Sequence, residues 1–290
     1  MPATRAGEPH VVSTCGVVSL LTDFGVTEPF VGLVKAQILA RYAEARIVDL
    51  THGVPPYSTE VAAFWIERSY QYFPMGSVHV AIVDPGVGTA RRILLMALDG
   101  QLFLAPDNGL LGRLAGRDGA RVRAIEMGAL PGLGIHEPSP TFHGRDVFGP
   151  LAADLCSGKA RFDQLGSACA DWTRPTWAGP EQLADGIRGQ VIVIDSFGNC
   201  FSNIESISLV TDEIISVTFG RARLPFVRTY GDRPAGTGIA LINAFGVLEA
   251  ACVEGNAQRR LGLEVGSPVE TRLGHSRPTA GAGRDEPADS

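Results

Sequence analysis

The sequence has no excess of basic residues. Its 25 Lys and Arg stand against 31 Asp and Glu, a formal net charge of -6. Non-specific binding to nucleic acid needs a positive field, so that class is excluded. Cysteine is sparse too. The five (Cys15, Cys156, Cys169, Cys200 and Cys252) are scattered, odd in number and form no CxxC pair. Neither a zinc ribbon nor a disulfide framework is expected from them, and reduced thiols in a cytoplasmic protein are. No apolar run reaches membrane-spanning length, so no membrane partner is expected. Met1 to Pro9 lacks the apolar centre of a signal peptide. The common catalytic signatures are missing as well: the P-loop lysine motif, the GxSxG elbow, HExxH, and GxGxxG after the first strand. Gly86-Val87-Gly88 lacks the third glycine of a dinucleotide fingerprint. ATP, acyl-serine and zincin chemistry therefore have no support. There is no internal repeat.

What is present is a chain of 290 residues, 45% hydrophobic and 19% charged. That is a globular composition, enough for one large domain or two smaller ones. Apolar runs of strand length stand at Val17–Leu21, Arg46–Leu50 and 78–83. Helical spacing fills the gaps, at Phe30–Tyr42 and at Ser58–Tyr72 with Ser58 as N-cap. Asp99-Gly100 between Ile93–Leu98 and Gln101–Leu104 signals a hairpin. A short helix at Leu110–Leu114, an edge strand at Val122–Ile125 and a helix at Val147–Ser157 follow. Strands alternating with helices predict an α/β layered sheet. The segment around Trp172 to Pro180 loses periodicity. Beyond it come short strands, at Ile187–Ile194, Ile214–Phe219, Val227–Tyr230, Gly238–Ile242, Val247–Val253 and Val269–Arg272. These predict a small all-β barrel or sandwich. The expected organisation is a flexible arm at 1–15, an N-terminal α/β/α layered domain at 16–170 and a linker at 171–186. A smaller C-terminal all-β barrel-like domain at 187–273 and a disordered tail at 274–290 complete it.

Polar clusters sit at the ends of the apolar strands, where open α/β sheets place ligands. Asp84-Pro85-Gly86-Val87-Gly88-Thr89-Ala90-Arg91-Arg92 puts a carboxylate after a core strand and an arginine across a tight turn. Asp84 and Arg91 can fold back on each other, and an arginine so close keeps a carboxylate ionised. Thr22-Asp23-Phe24-Gly25 ends the first strand; Asp23 suits either a ribose diol or a helix cap. Thr51-His52-Gly53-Val54-Pro55-Pro56-Tyr57 ends the second. There His52 is expected on a turn carbonyl, and Tyr57 offers a ring or hydroxyl to a ligand. Thr141-Phe142-His143-Gly144-Arg145-Asp146 precedes a helix, and His143 is the histidine suited to proton handling. His79 lies inside a strand and reads as structural. In the C-terminal half, Asp195-Ser196-Phe197-Gly198-Asn199 reads as a hairpin turn, or as a base site with Phe197 stacking and Asn199 pairing.

Taken in order, these clusters are joined by Pro106-Asp107-Asn108-Gly109, Leu248-Glu249 and Gly255-Asn256-Ala257. The set resembles the S-adenosyl-L-methionine (SAM) hydroxide adenosyltransferases, or SAM hydrolases, which share a fold with the SAM-dependent fluorinases and chlorinases. The resemblance covers about residues 16 to 273. It implies hydrolysis of SAM to adenosine and L-methionine by water attack on the 5′ carbon, with no cofactor and no metal. It implies a homotrimer with SAM between the N-domain of one subunit and the C-domain of the next. The family's Asp-Arg-His set falls on Asp84, Arg91 and His143. Asp23 would hold the ribose, Tyr57 would line the sugar pocket, and Thr141 and Phe142 would wall the reacting carbon. Phe197 and Asn199 would take the adenine, with Asp195 near the amino-acid end. The halogenases carry tyrosines where this chain has Asp84 and His143, and the fluorinase's halide-binding serine would fall at Gly144. One departure is Asn243-Ala244-Phe245-Gly246, where the family usually has Asn-Ser; the serine hydroxyl that would hold the methionine part is absent. The competing readings are a SAM-dependent chlorinase, a non-enzymatic SAM or nucleoside binder, and a metal hydrolase built on Asp23, Asp49, Asp84 and His143.

Overall fold

Three parallel strands form the half of the first sheet on which the site depends. The computed structural model describes residues 12–175, 179–209 and 213–274. The flexible arm, except its last four residues, and the tail beyond residue 274 lie outside the described residues. The chain divides into two compact units, Met1–Trp177 and Ala178–Ser290.

The first unit runs β1 (Val17–Thr22), α1 (Phe30–Arg41), β2 (Arg46–Thr51), α2 (Thr59–Ser69), β3 (Val78–Ile82), β4 (Ile93–Leu98) and β5 (Gln101–Pro106). Then come α3 (Gly112–Ala115), β6 (Arg121–Ile125), α4 (Gly149–Cys156) and β7 (Ser167–Ala168). The sheet order is β2-β1-β3-β5-β4-β6-β7. Strands β2, β1, β3 and β5 are parallel; β4, β6 and β7 run antiparallel to their neighbours. Alternation decides which helix each strand residue meets. Val18, Leu20, Val78, Val80 and Ile82 pack with Val34 and Ile38 of α1 and Leu151 of α4. The opposite face carries His79 and Phe103, which pack with Tyr70 at the end of α2. Both faces are covered, so β1 and β3 are buried at every position. This is the α/β/α layering expected from the alternating pattern.

The second unit holds β8 (Glu181–Leu183), β9 (Gly186–Ile194), β10 (Cys200–Glu205), β11 (Glu213–Phe219), β12 (Ala222–Leu224), β13 (Gly238–Ile242), β14 (Val247–Cys252), α5 (Ala257–Leu261) and β15 (Pro268–Gly274). The order β12-β11-β15-β9-β10-β14-β13 is antiparallel throughout. A bridge from Phe226 to Ala240 brings the chain after β12 to β13, so the sheet nearly closes on itself. Its inside is filled by Val191, Ile204, Val217, Phe219, Leu248 and Val269.

Several elements differ from expectation. Strand β10 was not foreseen: Ser202 and Asn203 break its apolar pattern, yet Ser202 Oγ donates to the Leu248 carbonyl and Asn203 Oδ1 accepts the Gln190 amide. The strand expected at Val227–Tyr230 is absent apart from the Phe226 bridge. There Asp232 Oδ2 accepts the amides of Arg228 and Thr229 and folds the segment into a turn. Val122–Ile125 is covered by β7 and is not quite an edge. Ser58 occupies the N-cap position of α2 without a capping bond. The helix expected from Val147 opens one turn early, as a π-helical turn at Gly144–Phe148. The stretch 171–186 holds β8 and the first residue of β9.

Candidate active site

Because β2, β1 and β3 are parallel, their carboxyl ends share one edge of the sheet. Asp23 follows β1, His52 follows β2 and Asp84 lies two residues past β3. The Asp84 loop is tightly fixed. Asn108 Nδ2 donates to the Val83 carbonyl at 2.8 Å. Thr89 Oγ1 donates to the Gly86 carbonyl at 2.7 Å and accepts the Arg91 amide at 3.3 Å. Gly88 has φ +80°, and a Cβ there would meet the Pro140 carbonyl oxygen at 2.3 Å. Only glycine lets this loop close against the segment that carries His143. On its far side Arg92 ties the loop to Asp107 at 2.7 Å and to Asp171 at 3.0 Å.

Within this frame Asp84, Arg91 and His143 form a chain. Arg91 Nε donates to both Asp84 oxygens at 2.9 Å, and Nη2 donates to Oδ2. Arg91 Nη2 also contacts His143 Nδ1 at 3.0 Å. Both charged side chains are more than nine-tenths buried, and His143 is 3% exposed. An arginine has donors and no acceptor. His143 Nδ1 must therefore accept, and the neutral ring carries its proton on Nε2. Burial holds the His143 pKa below the ordinary histidine value, and the Arg91 charge adds to it, with Asp84 and Asp146 pulling the other way. The chain is thus a donor relay: carboxylate, guanidinium, imidazole with an outward N–H. The guanidinium also lies over the Phe148 ring, 5.5 Å from its centroid. Among the described residues, its Nη1 is buried and has no hydrogen-bond partner.

In front of the relay lies a cleft of about 540 Å³. Asp23, Tyr57, Asp84, Thr141, Phe142, His143 and Gly144 line it, so seven of the residues singled out from the sequence come together here. Arg91 stands behind them as the connector. Phe24, Phe30, Ser139 and Arg145 also line the cleft and were not foreseen. Phe24, Phe30 and Phe142 meet edge to face, with centroids 5.5 to 6.3 Å apart, and Phe142 is far in sequence from the other two, which leaves no local pattern to read. Gly144 sits under this cluster: a Cβ would lie 3.2 Å from the Phe24 ring. Arg145 is paired with Asp146, whose carboxyl is held below the usual carboxylate range by that hydrogen bond.

Asp23 and Tyr57 are coupled. Asp23 Oδ2 accepts the Tyr57 amide at 3.0 Å, and Tyr57 adopts φ +66° with its side chain 73% exposed. A non-glycine residue in that region costs about 1–3 kcal/mol and points to function. His52 was expected on a turn carbonyl. Instead its Nδ1 meets Thr22 Oγ1 at 2.9 Å and its Nε2 stands 3.1 Å from Asp49 Oδ1. With the Gly25 amide on the His52 carbonyl, His52 brackets the Asp23 turn and fixes it.

Asp195, Phe197 and Asn199 lie in the second unit, on a cavity of about 480 Å³. Phe197 is 75% exposed. Asp195 serves its own turn, its Oδ1 accepting the amides of Phe197 and Asn199 and its Oδ2 the Asn199 Nδ2. Tyr230, Ala244, Phe245, Glu249 and Glu254 share the cavity. Tyr230 donates to Glu249 at 2.8 Å. Burial pushes the carboxyl of Glu249 up. Among the described residues, no group of three or more His, Cys, Asp or Glu is placed to hold a metal ion. Asp84 faces Arg91 and Asp49 faces Lys35 and His52, so the four-residue metal set is not assembled. No helix among the described residues is long and apolar enough to cross a membrane.

The family model for the SAM hydroxide adenosyltransferase N-terminal domain matches residues 18–166, and that for the C-terminal domain matches residues 189–270. The chain belongs to the SAM hydroxide adenosyltransferase family. Among its relatives, the (R)-S-adenosyl-L-methionine hydrolase of Thermus thermophilus is 37% identical, over 87% of this chain and 98% of the relative. A more distant one is the fluorinase of Nocardia brasiliensis, 26% identical over 89% of this chain and 97% of the relative. A solved structure of an uncharacterized conserved protein from Thermotoga maritima superposes with a TM-score of 0.79 at 31% identity, covering 88% of this chain and 99% of that one. The SAM hydroxide adenosyltransferase match thus takes in both units and every cluster described above.

Proposed function

We propose that this protein hydrolyses SAM to adenosine and L-methionine. The observation that carries the reading is the buried Asp84–Arg91–His143 relay, which presents one N–H to the cleft. Sulfonium leaves as a neutral thioether, so the departing group needs no proton and no metal. The reaction lacks a good nucleophile, because water is weak. A fixed donor beside a water stabilises the hydroxide form, as donors aimed at developing charge do elsewhere. Arg91 behind His143 strengthens that donor, and Asp84 holds Arg91 in place. The oxygen attacks C5′ in line, the C5′–S bond breaks, and its electron pair returns to sulfur. The water's other proton goes to solvent. Alignment of this kind can remove up to ~7–11 kcal/mol from a barrier.

Asp23 holds the ribose hydroxyls, Tyr57 lines the sugar pocket, and Thr141, Phe142 and Gly144 surround the reacting carbon. Phe197 and Asn199 take the adenine, and Asp195 lies toward the amino-acid end. The enzyme acts as a homotrimer whose neighbouring subunits complete each site, and it works in the cytoplasm, in keeping with its free cysteines. A chlorinase would need the halide to occupy the place that the His143 N–H commands.

The test is incubation of the purified protein with SAM in ¹⁸O water, with chloride and EDTA present. Adenosine carrying ¹⁸O at the 5′ position, with methionine, is the expected result. 5′-Chloroadenosine would move the chain to the halogenases, and tight binding without turnover would make it a SAM binder.

A further inference from the structure

Strand β5 lies between β3 and β4 in the first sheet. It runs parallel to β3 and antiparallel to β4, with Pro106 opposite Ile93. Its carboxyl end therefore sits beside the place where the chain leaves β3 and the place where it enters β4. The loop from Val83 to Arg92, which carries Asp84 and Arg91, has to cross that end. The turn Pro106-Asp107-Asn108-Gly109 thus stands between the two feet of the loop.

Two successive side chains of this turn take one foot each. Asn108 Nδ2 donates to the carbonyl of Val83, the residue before Asp84, at 2.8 Å. Asp107 Oδ2 accepts from Nε and Nη2 of Arg92, the residue after Arg91, at 3.0 and 2.7 Å. The Asp107 amide donates to the Arg92 carbonyl at 3.0 Å. The turn is itself fixed, since Asn108 Oδ1 accepts the Leu110 amide at 3.3 Å and Asp107 Oδ1 the Thr173 amide at 2.8 Å. The residue types follow from these bonds. An asparagine offers a donor and an acceptor on one side chain, whereas an aspartate at 108 would set a carboxylate against a carbonyl oxygen. At 107 a carboxylate gives one oxygen to the guanidinium and the other to an amide, and its side chain is 4% exposed.

From this we infer that Asp107 and Asn108 are positioning residues for the hydrolysis: by fixing both feet of the loop they hold Arg91 where its Nη2 reaches His143 Nδ1. The rate effect rests on the hydrolase reading above; the effect on the contact rests on the geometry alone. Neither residue is among those lining the cleft, so they act through Asp84 and Arg91. A misplacement of about 1 Å at a reacting group can cost ~10² in rate. The contact has its own signature. His143 faces Arg91 and Asp84 from the loop and Asp146 from its own segment, and the Arg91 charge outweighs that of Asp84. Nδ1 cannot take a proton while it accepts from Arg91. A slack loop weakens that bond, so His143 then protonates more readily.

The experiment follows the ring signals of His143 by NMR through an acid titration of the full chain, the signals being those lost in His143→Gln. In Asn108→Ala and in Asp107→Asn the midpoint is expected to rise toward the ordinary 6.5. In the same variants kcat for SAM is expected to fall by ~10- to 10²-fold, with KM little changed. Asp107→Asn keeps the size of the side chain and serves if Asn108→Ala does not fold. Asp154→Asn is the control. It breaks the buried pair with Arg41 at the end of α1, on the opposite edge of the sheet, and is expected to lower stability and leave the His143 midpoint in place. A midpoint that stays put in both loop variants, or that moves as far in Asp154→Asn, overturns the positioning inference and leaves the hydrolase reading standing. A shifted midpoint with a natural kcat overturns it as well. If the midpoint shifts and the natural protein does not cleave SAM, the hydrolase reading falls and the hold on Arg91 stands.

Discussion

Replacing His143 with glutamine separates two roles that alanine cannot. In the structure Nδ1 accepts from Arg91 and Nε2 carries the proton. A general base would have to take a proton at Nδ1, the nitrogen that Arg91 already covers. A relay needs only an acceptor on one side and a donor on the other. A glutamine amide carries both on one carbon, as Nδ1 and Nε2 flank Cε1. A hydrogen bond to a charged partner is worth about 1.5–3 kcal/mol, and removing one such donor from an oxyanion site costs about 10²–10³ in rate. His143→Ala should therefore lose ~10²–10³ in kcat, while His143→Gln stays within about tenfold of the natural enzyme. The assay is adenosine release at saturating SAM, with SAM affinity measured separately by calorimetry. The pH profile gives a second readout. Protonation at Nδ1 would expel the Arg91 contact, so the wild-type rate should fall in acid, below the ordinary histidine value of 6.5, since burial and Arg91 hold the group low. The glutamine variant should lack that acid limb. A glutamine variant as slow as alanine would refute the relay and restore histidine as the proton acceptor. An alanine variant at full rate would remove His143 from the mechanism.

Arg91→Lys keeps the charge but has one nitrogen where the guanidinium reaches Asp84 and His143 together. Steady-state kinetics should show kcat reduced by at least ~10-fold, the worth of one charged hydrogen bond, with a smaller change in KM; a natural rate would count against the pairing. His79, buried between Ser19 and Gln101 with both nitrogens at 2.6 Å from their partners, is held down to about 4 against an ordinary 6.5. The unfolded chain takes up this proton first, so the stability it supplies is full above pH 6.5 and is lost as the pH falls toward 4. At about 1.4 kcal/mol per pH unit the loss is ~3 kcal/mol. Urea unfolding at pH 7 and pH 4.5 should show it for the natural protein and a shallower slope for His79→Gln; equal slopes would exclude His79 as the source.

The layered sheet was legible because β1 and β3 are buried on both faces and so read as apolar runs, interrupted within by Ser19 and His79 alone. The strand-end rule then placed Asp23 and Asp84 on one edge before any geometry was known. The pairing of Asp84 with Arg91 followed from a turn short enough to bring them together. Other features had no local signal. His143 meets Arg91 across 52 residues, and that contact depends on Gly88 closing against Pro140. In the second unit, β10 hid behind Ser202 and Asn203, polar residues that bond to neighbouring strands. Val227–Tyr230 misled because a hydrophobic start was overruled by Asp232, which draws two amides into a turn. The Tyr57 backbone strain is likewise set by a partner, Asp23, 34 residues away.

The relay's charge explains why Arg91 stands behind the cleft, while Arg145, which lines it, is paired with Asp146. The substrate's reacting group is a sulfonium cation, and a bare guanidinium at the site would repel it. Asp84 cancels Arg91 within one buried pair, and His143 is kept neutral by burial and by Arg91. The chain from Asp84 to His143 is therefore neutral as a whole while its outward end is a donor. A neutral donor stabilises hydroxide through a directed hydrogen bond and does not push the sulfonium away. Two opposite charges, hydroxide and sulfonium, then meet in a partly apolar cleft walled by Phe24, Phe30 and Phe142, where their attraction is stronger than in water. A halide would accept the same hydrogen bond, but it needs no help to lose a proton, so the acidifying part of the relay is of use to water alone. In the proposed reaction the same three residues polarise the attacking water and leave the field at C5′ open to a cation.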